Sequence, residues 1–222
     1  MTLRSDAARW GTLAKFFHWT IALLIVGAGI VGLYMTGLPN APQKIRIYAI
    51  HKSVGLTVLA LALLRLAWRL YDRRPDEVPM PRWQAVGARM VHGLLYLLIF
   101  ALPLSGWLYN SASGYPLQWW GLVQLPSLSG GSDATLKPLA HGLHEWLFWI
   151  LVATLVAHAG AALVHHFVER DATLARMLPW RLKRLAAPTA TAPEQMPIPA
   201  PAEPAVSEPA VSEPAPSETK EE

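Results

Sequence analysis

The chain has 222 residues, of which 53% are hydrophobic and 15% are charged, and its formal net charge is +4. So apolar a composition excludes an ordinary soluble domain of this length. The sequence contains no cysteine, which excludes disulfides, iron–sulfur clusters and haem attached through a C-x-x-C-H motif. The basic residues are scattered over separate helix ends, so nucleic acid is not an expected partner.

Four apolar segments are long enough to cross a lipid bilayer, which takes about 20 helical residues. In chain order they are residues 16–35, 48–70, 90–109 and 146–168. The second is the least regular, because Lys52, Arg65 and Arg69 interrupt it. The first is too long for the apolar part of a cleaved signal peptide. We therefore predict an all-α fold, a four-helix transmembrane bundle.

The connection between the third and fourth segments is the longest, and it contains the apolar, aromatic stretch "YPLQWWGLVQLP". Tryptophan favours the depth of the membrane interface, so this stretch is compatible with a short interfacial helix. A collapsed loop is the other interpretation.

The composition changes at about residue 187, where proline, alanine, serine and glutamate begin to dominate. The near-repeat "EPAVSEPAVSEPAPSE" cannot bury apolar area, which predicts a disordered cytoplasmic tail over residues 187–222. Residues 1–186 then form the membrane domain. A docking peptide is the alternative function for the tail.

Lysine and arginine are distributed unequally between the two ends of the predicted helices. Thirteen would lie at one end, and only Lys44, Arg46, Lys52 and Lys137 at the other. The positive-inside rule places the larger group, with both termini, in the cytoplasm. The four outer cations are compatible with steering an anion to the protein and also with ordinary loop charge.

All eight histidines lie in or beside the predicted helices. Ionisable residues inside a membrane are rare, and they usually face a bundle interior or a water-filled cavity. His144 and His158 are two heptads apart, so their rings point to nearly the same face of the fourth helix. They are separated by about 21 Å along the axis. This spacing suits two metal centres stacked across a bilayer.

Each of these histidines needs a second ligand at a similar depth. His51 enters the second helix from the outside and matches His144, whereas His18 enters the first helix from the inside and matches His158. A bundle core is a common place for such sites. We predict these two pairs as metal ligands.

The adjacent residues His165 and His166 offer another partner for His18. A centre at His165 would lie about 31 Å from His144, which spans the full hydrocarbon thickness and displaces one centre into the headgroups. An interfacial pair at the helix end is the simpler interpretation of the double histidine.

Histidine pairs in two layers favour haem iron over zinc, because zinc usually gathers three or four ligands at one point. A proton relay is a rival use of membrane histidines, but it does not explain the two-heptad spacing.

Two other polar residues in the predicted helices, His92 and Arg65, also need an interpretation. His92 is expected to hydrogen-bond a haem propionate, a quinone or another helix. Arg65 is expected to extend to the inner surface or to pair with a propionate.

Four stretches of the sequence resemble the bacterial cytochrome b561 family. They are "KFFHWTIA", "IHKSVGL", "HGLLYLLIFALPLSGW" and "LHEWLFWILVATLVAHAGAALVHHFVERDATLARMLP", and together they cover about residues 14–179. The resemblance implies a multi-pass protein of the bacterial inner membrane with two b haems. It implies His18 and His158 as ligands of the inner haem iron, and His51 and His144 as ligands of the outer one.

The resemblance also implies a function. Superoxide oxidase activity is known in this family: superoxide gives electrons at the periplasmic face, and the two haems pass them to ubiquinone. Other members are cytochrome b subunits, which implies as an alternative the haem b anchor subunit of a hydrogenase or another periplasmic oxidoreductase complex. A transporter or sensor without haem is a more distant hypothesis.

Overall fold

The computed structural model describes residues 2–178, which form four long helices, one short helix and a two-stranded sheet. In chain order the elements are α1 (Thr12–Thr36), α2 (Pro42–Tyr71), α3 (Arg82–Ala112), β1 (Leu117–Trp119), β2 (Val123–Leu125), α4 (Leu136–Phe167) and α5 (Thr173–Met177). The four long helices are all long and apolar enough to cross a membrane. The predicted four-helix transmembrane fold is confirmed.

The helix α2 is continuous, although its sequence carries three cations in the apolar region. It begins with Pro42 in its first turn, where a missing backbone N–H costs nothing. Lys52 donates a hydrogen bond to Asn110 Oδ1 of α3 at 3.0 Å, and Arg65 and Arg69 both lie over the ring of Tyr96. The polar residues therefore reach neighbouring helices and do not interrupt the helix.

The helices pack most closely in the order of the chain, α1 against α2, α2 against α3 and α3 against α4. Within residues 2–178, the backbone of α4 does not pack closely along α1 or α2. Side chains span the space between α4 and the first two helices. Apolar residues such as Leu23 and Trp146 are exposed on the outer faces, as expected for helices that meet lipid.

One end of the bundle, which we call the inner end, carries residues 2–11 and α5. Ser5 Oγ donates to Asp72 Oδ2 at 2.6 Å, which ties the start of the chain to the end of α2. Trp19 Nε1 of α1 donates to the Met177 carbonyl at 2.9 Å, and Lys15 Nζ donates to the Leu178 carbonyl at 3.1 Å. The segment after α4 therefore folds back over the start of α1.

The opposite, outer end carries an antiparallel hairpin formed by β1 and β2. Trp120 and Gly121 have φ values of 53° and 71°, and Leu122 N donates to the Trp119 carbonyl at 3.0 Å. Two positive φ values at the centre of a two-strand connection are typical of a type I′ turn. The interfacial helix considered for this stretch is wrong, because the W-G pair adopts a turn that no helix contains.

The hairpin is attached to α2. The indole N–H groups of Trp119 and Trp120 both donate to Thr57 Oγ1 at 3.0 Å, and Trp120 N donates to Ser53 Oγ at 3.0 Å. The predicted tail over residues 187–222, and its boundary with the membrane domain, lie outside the described residues.

Candidate metal centres

At the outer level, His51 of α2 faces His144 of α4 across the space between these helices. Their ring centroids are 6.2 Å apart, and the rings are inclined at 86°. A metal ion bound to one nitrogen of each ring at about 2.0–2.1 Å would place the centroids roughly 6 Å apart. The two rings are therefore spaced to share one metal ion.

Backbone carbonyls fix the orientation of both outer rings. His51 Nδ1 lies 3.1 Å from the Ala28 carbonyl oxygen, and His144 Nδ1 lies 3.1 Å from the Leu102 carbonyl oxygen. Because a carbonyl only accepts hydrogen bonds, each Nδ1 carries the proton. The lone pair of Nε2 is then free for a metal, which is the usual arrangement of a metal-binding histidine.

Two glycines make room for the outer rings. A Cβ atom on Gly32 would lie 3.2 Å from Cε1 of His51, and a Cβ atom on Gly106 would lie 3.1 Å from Cε1 of His144. Both distances are shorter than an ordinary carbon–carbon contact of about 3.5–4.0 Å. Any larger residue at either position would displace a ring.

At the inner level, His18 of α1 faces His158 of α4. Their ring centroids are also 6.2 Å apart, and the rings are inclined at 68°. The structure thus brings the four histidines singled out from the sequence together as two pairs, at two levels of α4. Iron binding by these pairs stays a prediction.

A third histidine lies at the inner level. The ring of His92 in α3 has its centroid 5.2 Å from that of His158, at an angle of 71°. This separation is shorter than the spacing that two rings need on opposite sides of a metal ion. His92 therefore contacts the edge of a candidate ligand from the side.

Arg65 also reaches the inner pair. Its Nη2 atom lies 3.3 Å from His18 Nδ1, and its guanidinium lies 5.6 Å from the centre of the Tyr96 ring. The Arg65 side chain is partly buried beside His18. Arg65 thus lies beside the inner pair, and its pairing with a haem propionate stays a prediction.

The histidine at the inner end of α4 has different partners. His165 Nδ1 lies 2.7 Å from Asp171 Oδ2 and 2.8 Å from Glu169 Oε2. These carboxylates follow α4 and lead into α5. The ring thus serves contacts at the helix end, as expected for an interfacial residue.

The sequence matches the family described as prokaryotic cytochrome b561 over residues 9–180, a range that includes all four long helices and both histidine pairs. The chain belongs to the prokaryotic cytochrome b561 family. Membership supports an integral membrane protein that binds b-type haem and transfers electrons.

Several relatives match this cytochrome b561 family member over most of its length. Cytochrome b561 homolog 2 of Escherichia coli (strain K12) is 33% identical over 188 residues, which are 80% of this chain and 95% of the relative. The probable superoxide oxidase CybB of Yersinia pestis is 31% identical over 172 residues, 77% of this chain and 96% of the relative. Cytochrome b562 of Cereibacter sphaeroides is 29% identical over 167 residues, 72% of this chain and 89% of the relative.

The residues present fit the haem that the cytochrome b561 family implies. Two opposed imidazole pairs have the spacing that one metal ion needs, and the outer pair has its Nδ1 protons held by carbonyls. The pairs lie where α4 meets α1 and α2 through side chains and not through close packing of the backbones.

The residues that support the outer pair were not among those predicted from the sequence of this cytochrome b561 family member. Ser105 Oγ lies 3.0 Å from His144 Nδ1, and Gly106 lies against the same ring. The "PLSG" sequence at residues 103–106 is the one signal for them, because proline, serine and glycine are unusual together within an apolar helix.

Proposed function

We propose that this cytochrome b561 family protein carries electrons across the bacterial inner membrane through two b haems, from a periplasmic donor, with superoxide favoured, to ubiquinone. The observation that carries the proposal is the presence of two opposed histidine pairs, each with ring centroids 6.2 Å apart. Since His144 and His158 are separated by about 21 Å along α4, the pairs occupy two depths of the bilayer.

In this proposal His51 and His144 hold the outer haem iron, and His18 and His158 hold the inner one. Bound haem supplies one-electron redox chemistry with little rearrangement of its ligands. The contribution of the chain is to present the Nε2 lone pairs, to fix the outer rings through the Ala28 and Leu102 carbonyls, and to exclude water with apolar helices.

Superoxide is favoured as the donor because it is a small anion and the outer end carries cations. Lys52 directly follows His51 in α2, and its Nζ donates to Asn110 Oδ1 at 3.0 Å. Lys44, Arg46 and Lys137 lie at the same end of the helices. Such a patch raises the local concentration of an anion. The name of the relative from Yersinia pestis, a probable superoxide oxidase, supports the same donor.

The excess of lysine and arginine at the inner end supports an orientation with both termini in the cytoplasm. Electrons from the periplasmic side would then arrive at the outer histidine pair first. The inner pair lies at the level of His92 and Arg65, nearer to the cytoplasmic leaflet.

The test is to supply superoxide to the purified protein and to follow reduction of a ubiquinone analogue. We expect quinone reduction that depends on superoxide, that is lost in His144→Ala, and that persists in His166→Ala. A wild-type protein that binds two haems yet reduces no quinone with superoxide contradicts this donor. Its reduction by a copurifying periplasmic protein would instead support the anchor subunit of an oxidoreductase complex.

A further inference from the structure

The two histidine pairs differ in what lies at their Nδ1 atoms. Both outer rings have a carbonyl oxygen 3.1 Å from Nδ1, at Ala28 for His51 and at Leu102 for His144. At the inner level, His18 Nδ1 has the guanidinium of Arg65 at 3.3 Å. An outer ring thus faces the negative end of a peptide dipole, whereas His18 faces a full positive charge.

The charge of Arg65 is not balanced by acidic residues of the helices. Glu145 is the single aspartate or glutamate within α1 to α4, and it adjoins His144 at the outer level. Arg65 lies over the ring of Tyr96. A second cation, Arg69, has its guanidinium 5.3 Å from the centre of the same ring. Because few mobile ions enter the interior of a membrane helix bundle, such a charge acts on its neighbours more strongly than in water.

We propose that Arg65 makes the inner histidine pair the stronger electron acceptor, by raising the reduction potential of the iron held by His18 and His158 above that of the iron held by His51 and His144. This inference rests on the proposed function, since it requires haem at both pairs. In this inference Arg65 tunes the reduction potential of the inner iron without binding it. The direction of electron transfer then has a structural cause.

Two physical effects act in the same direction. Reduction lowers the charge of the iron by one unit, so a nearby cation stabilises the reduced form. At the outer pair, the carbonyls accept from the Nδ1–H groups, make the imidazoles more basic and stabilise the oxidised form. In the structure Arg65 Nη2 can only donate to His18 Nδ1, because a guanidinium has no acceptor. With iron at Nε2 of His18, Nδ1 would carry a proton and this hydrogen bond would be lost, so Arg65 would act through its charge alone.

The electron balance is that of a single transfer between the two centres. Iron held by His51 and His144 would be oxidised from ferrous to ferric, and iron held by His18 and His158 would be reduced from ferric to ferrous. No bond forms or breaks, and no proton is required. Superoxide, as the donor of the proposed function, would return one electron to the outer pair and leave as dioxygen. Two such transfers through the inner pair, with two protons from solvent, would reduce one ubiquinone to ubiquinol.

The test is a spectroscopic redox titration of the purified wild-type protein and of Arg65→Met. We expect the wild type to show a high and a low component, and Arg65→Met to lower the high component by about 59 mV or more, which is a tenfold change in a one-electron equilibrium. The low component should stay within measurement error. Arg65→Lys keeps the charge and should retain most of the wild-type potential.

The two components are assigned with Ser105→Ala. Ser105 Oγ lies 3.0 Å from His144 Nδ1, so its removal should shift only the component of the outer pair. The inference is overturned if Arg65→Met binds both haems without a shift in potential, or if Arg65→Lys shows the same shift as Arg65→Met. Either result leaves the proposed function standing. Fewer than two haems in the wild type refutes the proposed function itself. If Arg65→Met loses haem, Arg65→Gln gives the same comparison, because it keeps hydrogen-bond donors without the charge.

Discussion

A backbone carbonyl lies at Nδ1 of each outer ring and sets the position of its proton, and at His144 the Ser105 hydroxyl lies at the same nitrogen. The sequence predicts which histidines face each other, because their depth and spacing follow from helix geometry. It does not predict the carbonyls of Ala28 and Leu102, because every residue has a carbonyl and only the packing of α1 on α2, and of α3 on α4, decides which one meets a ring. The same holds for His92, which contacts His158 from a third helix.

Substitution of Gly106 should weaken haem binding at the outer pair alone. In Gly106→Ala the new Cβ would lie 3.1 Å from Cε1 of His144 and would push the ring out of position. Overpacking of this kind typically costs about 1–3 kcal/mol. We expect part of the outer haem to be lost on purification, as measured by haem absorbance per protein.

The control for this substitution is Gly93→Ala on the same helix, where an added Cβ meets no atom within 4 Å. It should retain the haem content of the wild type. Equal haem loss in both variants would mean that the effect comes from α3 as a helix and not from the ring of His144.

Among the elements, the long helices were predictable and the short ones were not. Apolar length locates α1 to α4, since nothing but a helix satisfies the backbone of one segment in lipid. It does not locate their starts, because the helices continue into polar sequence and α4 begins at Leu136, ten residues before the predicted segment. The hairpin was not predicted, because its strands have only three residues each. That is too few for an alternation of apolar and polar residues to be recognised. Its turn requires a positive φ at Trp120, and a tryptophan in the sequence gives no sign of that backbone conformation.

The short helix α5 should depend on Asp171. Its Oδ1 accepts from Thr173 N at 2.7 Å, and its Oδ2 lies 2.7 Å from His165 Nδ1. Asp171→Asn replaces one oxygen by an amide nitrogen and removes the charge. We expect faster amide hydrogen exchange over Thr173–Met177, with the haem content unchanged.

The same contact should respond to acid. Burial alone would raise the pKa of Asp171, but hydrogen bonds from Thr173 and His165 outweigh it and hold the pKa below its usual value. Because this pKa is lowered, the Asp171 carboxylate stabilises the position of α5 at pH values above the pKa of the free carboxyl. This contribution is lost as the pH falls through the pKa that Asp171 has in the folded protein. Exchange in the Asp171→Asn variant should lack this acid dependence. If hydrogen exchange of α5 in the wild type does not change with acid, or if Asp171→Asn keeps the acid dependence, another group holds α5.

At the level of the whole molecule, the outward faces are apolar and most lysines and arginines lie at the inner end, which predicts the orientation of the chain in a bilayer. Both features are properties of composition and order, so the sequence predicts them directly. What it cannot predict is the space between α4 and the first two helices, because that separation results from the packing of all four.

The orientation can be tested with single cysteines, since the natural chain contains none. We expect Ser127→Cys, in the loop at the outer end, to react with a membrane-impermeant maleimide on intact spheroplasts. Glu77→Cys, in the exposed connection between α2 and α3, should react only after lysis. The reverse pattern would place the termini in the periplasm and remove the proposed order of the two centres.

The number of haems per chain tests the central claim most directly. A pyridine haemochrome assay should give two b haems per chain for the wild type, about one each for His144→Ala and His18→Ala, and two for the control His166→Ala, whose position belongs to neither pair. One haem in the wild type, or two haems in both His144→Ala and His18→Ala, would contradict the account.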